Sequence, residues 1–309
     1  MLAKDDNPVF LSNTTAIIYI SKKLLYDKSM TQFPIDADIL PPTDDRIFKT
    51  LLTHPNAKPV LINVVSAVIE RTVIDVQVRN NEMPTMDIDE KAERFDVNCV
   101  IDSGAQVDVE MHCLSREKVR DDERINFINK YIYYLTDLHS SQKSKGVMYT
   151  NLVRTYQATF CTGTIFPTSP DFVNRFSLRT LNGVQLSDQL NIIIIELSKL
   201  NAILKKPVKA LTPFEMWSLF FRYAPDPEYR KLINEIIEAK EEIGMATALL
   251  QEISKDERER AIYRSRRMAE TDRISDLLTA EKRGNMQVFE LLDKGISLAE
   301  AKKILGIDN

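Results

Sequence analysis

The sequence predicts an α/β fold: a mixed central sheet flanked by helices, followed by a helical C-terminal tail. Three observations carry this. Residues 95–101 and 106–113 alternate apolar and polar side chains, with Ser103-Gly104 between them. Ile192 to Ile195 is an unbroken isoleucine run, the pattern of a strand buried on both faces. From about Pro227 to Gly306 there is no further proline, and Glu, Lys, Arg and Leu abound, as in helices. At roughly 100–200 residues per domain, the 309 residues divide into an N-terminal extension (1–40), a central domain (41–228) and a helical region (229–309).

The elements follow in order. Pro41-Pro42 closes the extension. Thr43 is positioned to cap a helix with Asp44 and Asp45 in its first turn, where carboxylates suit the helix dipole. That helix carries Ile47, Phe48, Leu51 and Leu52 inward until His54-Pro55-Asn56 breaks it. A second helix spans about Pro59 to Ile69 on a stripe of Val60, Leu61, Val64 and Val68. Thr72 to Val78 is β-branched and strand-like, and the alternating pair follows. A long helix covers roughly Asp121 to Gln142, with Ile125, Ile128, Ile132, Leu135 and Leu138 on its apolar face and Gly146 as an αL cap. Arg154 to Cys161 reads as another strand. Near the end, Lys294-Gly295 matches an αL C-cap, and Ser297 with Glu300 a capping box, which together predict a final helix–turn–helix.

Composition narrows the function classes. Net charge is −4, with 28% charged residues, so the surface is not uniformly basic and any nucleic-acid contact is a local patch. Cys99, Cys113 and Cys161 form no CxxC pair, which excludes a disulfide framework and a zinc knuckle. His54, His112 and His139 are too few for a histidine-rich metal site. Asp5-Asp6 stands where a signal peptide has basic residues, and no apolar run approaches the roughly 20 residues that cross a bilayer. These features predict a cytoplasmic protein without membrane contact.

The alternating pair carries the chemistry. Period-2 geometry collects Phe95, Val97, Cys99, Ile101, Val107, Val109, Met111 and Cys113 on one face. Asp96, Asn98, Asp108, Glu110 and His112 share the other, with Val100 its one apolar member on the first strand. A loop of Asp102, Ser103 and Gly104 puts glycine at the αL position of a three-residue hairpin and sets Asp96 opposite Glu110; a two-residue loop would mix the faces. Carboxylates opposed at roughly 4.5–5.5 Å between Cβ atoms repel unless a cation joins them. Mg²⁺ or Mn²⁺ fits such a pair, with water filling most other positions. His112, on the same side, is placed to orient or deprotonate an attacking water, or to ligate the metal.

The segment Asp96…Glu110-Met111-His112 resembles the active-site signature of PD-(D/E)XK nucleases. More closely, the chain resembles the Rpn-type recombination-promoting nuclease and transposase family. The carrying segments are Asp45-Arg-Ile-Phe48-Lys49, Lys130-Tyr-Ile-Tyr133-Tyr134, Gln142, Gly146-Val-Met-Tyr149, Ile195-Glu196-Leu197-Ser-Lys199 and Leu292-Asp-Lys-Gly295-Ile-Ser297. Two positions depart: His112 stands where the family has Gln, and Lys130 where it usually has Arg. The resemblance implies a restriction-endonuclease-like α/β fold and a metal-dependent DNA endonuclease. Asp96 and Glu110 would hold Mg²⁺ (or Mn²⁺), His112 would act on water, and Lys49, Lys130 and Gln142 would hold phosphate or brace the site. DNA is the implied partner; homo-oligomerisation is left open. His112 in place of Gln favours an alternative, a nuclease-fold protein with weak or no catalysis that acts as a DNA-binding or regulatory module.

Overall fold

The computed structural model describes residues 32–79, 96–114, 119–142 and 148–306. The chain forms two compact units that divide between Ser254 and Lys255.

In the first unit, α1 (Asp45–Thr53) and α2 (Lys58–Ile69) lead into β1 (Val76–Val78), β2 (Val97–Ile101) and β3 (Gln106–His112). Then come α3 (Asp121–Ser140), β4 (Thr155–Cys161), β5 (Val173–Arg179), β6 (Gln185–Glu196), α4 (Pro213–Tyr223), α5 (Arg230–Ala239) and α6 (Glu241–Lys255). The six strands form one sheet in the order β1-β2-β3-β4-β6-β5. The neighbours β3/β4 and β4/β6 run parallel and the rest antiparallel, so the sheet is mixed, as its pattern predicts. The 20-residue α3 makes the crossover that the parallel pair β3/β4 demands.

One sheet face is a conventional core. Val97, Cys99, Val107, Val109, Ala158, Phe160 and Ile195 are fully buried. Phe48 of α1 meets Phe160 at 6.0 Å and Phe221 of α4 at 5.2 Å between ring centroids. The isoleucine run lies in β6, with Ile193 to Ile195 buried as the unbroken pattern requires.

Several local expectations are corrected. Asp44, not Thr43, caps α1: its carboxylate accepts from the Arg46 and Ile47 N–H groups at 3.1 and 3.2 Å. On α3 the inward residues are Phe127, Tyr131, Leu135 and Leu138, while Ile125 and Ile132 are exposed. The aromatic rings outcompete the isoleucines for the buried stripe because they carry more apolar area. The strand after α2 shrinks to three residues at the sheet edge. β5 is an edge strand with no buried residue, so it leaves no apolar alternation to read. Residues 1–31, Phe95 and the proposed cap Gly146 lie outside the described residues.

The first unit runs past the expected boundary at 228 because its last helices tie down residues 32–40. Leu40 N–H donates to Ser254 Oγ at 3.0 Å, and Phe33 exchanges backbone bonds of 3.0 and 3.1 Å with the Asn234 amide. Arg230 donates to the Ala37 carbonyl at 3.0 Å, while Phe33, Ile39 and Leu40 are buried.

The second unit is α7 (Glu257–Asp293) and α8 (Leu298–Ile304). Gly295 adopts φ 80° at the turn, and Ser297 and Glu300 form the anticipated capping box. No residue of α7 is buried, in keeping with its dense mixture of charges.

Candidate active site

The hairpin register places the acids as the loop argument requires. Val97 pairs with Val109 and Asn98 with Asp108; Ile101 N–H donates to the Ala105 carbonyl at 3.0 Å, and Gly104 takes φ 81°. One step beyond the last ladder pair, side chains replace the backbone ladder. Asp96 N–H donates to Glu110 Oε1 at 2.9 Å, and Met111 N–H donates to Asp96 Oδ2 at 2.9 Å. This reciprocal clasp orients both carboxylates from the backbone.

The polar face is not solvated: α3 lies over it. Asp108 is 0% exposed and Glu110 3%. Burial, then the neighbouring Glu110 charge, pushes the Asp96 pKa up to about 8. Burial also raises Glu110, against the opposing charge of Lys130. Asp108 rises well above the usual carboxylate range, through burial and then Glu110. Like charges held together in a dry place favour the neutral form until a cation compensates them.

Asp108 opens onto a buried polar layer that the parallel ladder aligns beside it. Gln157 lies directly across from Asp108, and Thr159 across from Glu110. Among the described residues neither Asp108 oxygen, neither polar atom of the Gln157 amide, nor Thr159 Oγ1 has a hydrogen-bond partner. Groups of this kind are normally met by ordered water or a ligand.

His112 sits half-buried at the C-terminal end of β3. Its Nδ1 lies 2.9 Å from the Tyr131 hydroxyl, and its ring packs edge-on against Phe127 at 5.0 Å. Burial, then the Lys130 charge, pulls its pKa down to about 4, with Asp45 opposing. Lys130 lies over the rings of Tyr131 and Tyr134, 4.9 and 5.0 Å from their centroids. Its charge reaches Asp96, Glu110 and His112, and that of Lys49 reaches Glu110. Asp45, one helical turn before Lys49, acts electrostatically on Asp96 and His112. Thus α1 contributes a carboxylate and an amine through i, i+4 spacing. Asp45 and Tyr131 are the site residues that reasoning from sequence did not single out. Asp45 was legible in the Asp45-Arg-Ile-Phe48-Lys49 segment; Tyr131 was hidden among three tyrosines.

Gln142 lies elsewhere. Its amide accepts from Val153 N–H at 2.9 Å and donates to the Val153 carbonyl and to Thr155 Oγ1 at 3.1 and 2.9 Å. This fastens the end of α3 to the start of β4, opposite Gln106 and four residues along β3 from Glu110. The Ile195-Glu196-Leu197-Ser-Lys199 segment is likewise a staple. The buried Glu196 accepts from the Ile165 and Phe166 N–H groups, Asn174 and Lys199 at 2.6–2.9 Å, which pins the β4–β5 loop. Tyr133 and Tyr149 are exposed and Tyr134 half-buried, so of the three only Tyr134 adds to the core.

The mixed sheet with flanking helices and a Asp96…Glu110-x-His112 hairpin under a crossover helix defines a protein of the PD-(D/E)XK nuclease fold. The model of the PD-(D/E)XK nuclease family transposase family matches residues 42–280. The match covers well over half of the chain, which belongs to that family. Comparisons with curated proteins and with solved structures give no match. No helix among the described residues is long and apolar enough to cross a membrane.

Proposed function

We propose that the chain is a metal-dependent DNA endonuclease, with Asp96 and Glu110 as its metal-holding pair. The observation that carries this reading is the clasp: two facing carboxylates oriented by backbone bonds, both pushed toward neutrality by burial. Such a pair is costly without a compensating cation. The donor set fits a hard divalent ion that keeps several waters, such as Mg²⁺ or Mn²⁺. Among the described residues no three His, Cys, Asp or Glu side chains group as a tighter metal site. When bound, such an ion polarises the scissile phosphate and lowers the pKa of a coordinated water.

The remaining residues divide the work. Lys130 and Lys49 place positive charge beside the carboxylates and are suited to hold a phosphate oxygen. His112 positions the attacking water. Asp45 adds negative charge at the same spot from α1. Gln142 and Glu196 brace the elements around the site. Hydrolysis forms a new P–O bond to water and breaks the bond to one ester oxygen of the DNA backbone. The test is nicking of supercoiled plasmid with Mg²⁺. Wild type nicks, while Asp96→Asn and Glu110→Gln lose on the order of 100-fold or more of the rate, since several kcal/mol of charge stabilisation goes with the metal. Equal rates in wild type and both variants would overturn the assignment.

A further inference from the structure

We infer that Tyr131 is a positioning residue, which locks the His112 ring so that it offers a donor N–H at Nε2. This deepens the nuclease reading, in which His112 orients water, by assigning the polarity of its ring.

The argument is one of hydrogen-bond satisfaction. Tyr131 is 1% exposed, and among the described residues the only hydrogen-bond partner of its hydroxyl is His112 Nδ1, at 2.9 Å. Two arrangements are compatible with that distance. In one the phenol donates to a bare Nδ1 and the ring proton sits on Nε2. In the other Nδ1–H donates to the phenol oxygen, and the phenol O–H finds no further acceptor within hydrogen-bond distance among the described residues. A buried donor without an acceptor is destabilising, so the first arrangement is favoured. The phenol itself remains protonated, because burial and the Glu110 charge hold its pKa well above the usual tyrosine range. Phe127 packs edge-on against the imidazole, and Phe127 and Tyr131 contact each other at 4.7 Å between centroids, so the ring has little freedom to flip.

With Nδ1 engaged, Nε2 is the only ring nitrogen left for a water or a phosphate oxygen, and it approaches as a donor. That is the polarity of the amide nitrogen of a glutamine, the residue the related family carries at this position. Histidine at 112 and tyrosine at 131 therefore act as a unit. The imidazole needs the phenol to choose which of its nitrogens carries the proton.

The experiment has two arms on the full chain. The first is ¹⁵N NMR of metal-free, histidine-labelled protein near neutral pH, with His112→Gln identifying the His112 signals. The expected result is a protonated Nε2 and an unprotonated, hydrogen-bonded Nδ1 in wild type, moving toward a mixture of tautomers in Tyr131→Phe. A wild-type ring protonated at Nδ1, or signals unchanged by Tyr131→Phe, overturns the inference. The second arm is plasmid nicking with Mg²⁺. Tyr131→Phe lowers kcat by about 10-fold to 100-fold, the usual cost of losing a partner that orients a histidine. In a His112→Gln background the same change costs less than about twofold, because no imidazole remains to be oriented; a penalty of equal size in both backgrounds overturns the inference. If wild type fails to nick at all, the nuclease reading falls on that arm, and the NMR arm still decides the role of Tyr131.

Discussion

At the scale of the residue, the site holds acids where burial does not want charge, and this has a pH consequence. Asp96 sits at about 8 in the metal-free protein, against an ordinary value of 3.8. A raised carboxylate is protonated in both folded and unfolded chains below pH 4, so it costs nothing there. Between about pH 4 and 8 the unfolded chain ionises and the folded one does not, so stability falls across that window. A cation needs the ionised form. Metal affinity therefore rises with pH up to about 8 and then levels, and binding releases a proton below that point. Calorimetry with Mn²⁺ in buffers of different ionisation enthalpy checks this; affinity flat from pH 6 to 9 would contradict it. The rise belongs to Asp96 and not to His112, because burial and Lys130 leave His112 neutral well below pH 6. His112→Gln should accordingly keep the pH dependence of metal binding.

A second residue-scale expectation concerns Asp108. Among the described residues its oxygens lack hydrogen-bond partners, and burial with the Glu110 charge holds its pKa well above the usual carboxylate range, so its charge opposes folding. Asp108→Asn should stabilise the metal-free protein by on the order of 1–3 kcal/mol, with the gap widening as pH rises from 4. Thermal denaturation at pH 5 and pH 8 measures both; a destabilised variant at pH 8 would show that Asp108 is held by something beyond its neighbours.

At the scale of the element, most of the site was legible because a strand has period two. The alternation of 95–113 fixed the faces, the glycine in the loop fixed the register, and the clasp between Asp96 and Glu110 follows from both. What covers the polar face was not legible. Polar alternation ordinarily marks water, and only the path of α3 from β3 to β4 turns that face into an interior. On the inward edge of α3, Leu135 and Leu138 were anticipated but Phe127 and Tyr131 were not, since those two pack against His112 at the end of the polar layer. Gln142 illustrates the limit of a motif: the segment predicts that it matters, and the structure shows that it fastens α3 to β4. Gln142→Ala should cost about 1–3 kcal/mol of stability, as loss of three buried bonds implies, with the nicking rate per folded molecule within about twofold of wild type. A large loss of rate at unchanged stability would return Gln142 to the phosphate.

At the scale of the molecule, the division after Ser254 makes a sharp prediction about truncation. A chain ending at residue 254 keeps α5 and α6 on Phe33, Ala37 and Leu40 and should unfold cooperatively, with the site intact. A chain ending at 228 exposes that apolar surface and the unpaired backbone of residues 33–40, and should lose the cooperative transition. Differential scanning calorimetry of the two distinguishes them.

That same tie has a temporal side. Phe33 and Leu40 find their partners 201 and 214 residues later in the chain. At a synthesis rate of about 5–20 residues per second, the early segment emerges on the order of 10–40 s before the helix that receives it. All strands of the sheet, and both acids of the clasp, precede α5 and α6 in the chain and are synthesised before them. The nascent chain thus passes through a stage with its acidic hairpin synthesised and one flank of its core bare. Contacts of such long sequence separation close slowly. Under the proposed function, the acids of that hairpin are ones that stay largely neutral until metal arrives.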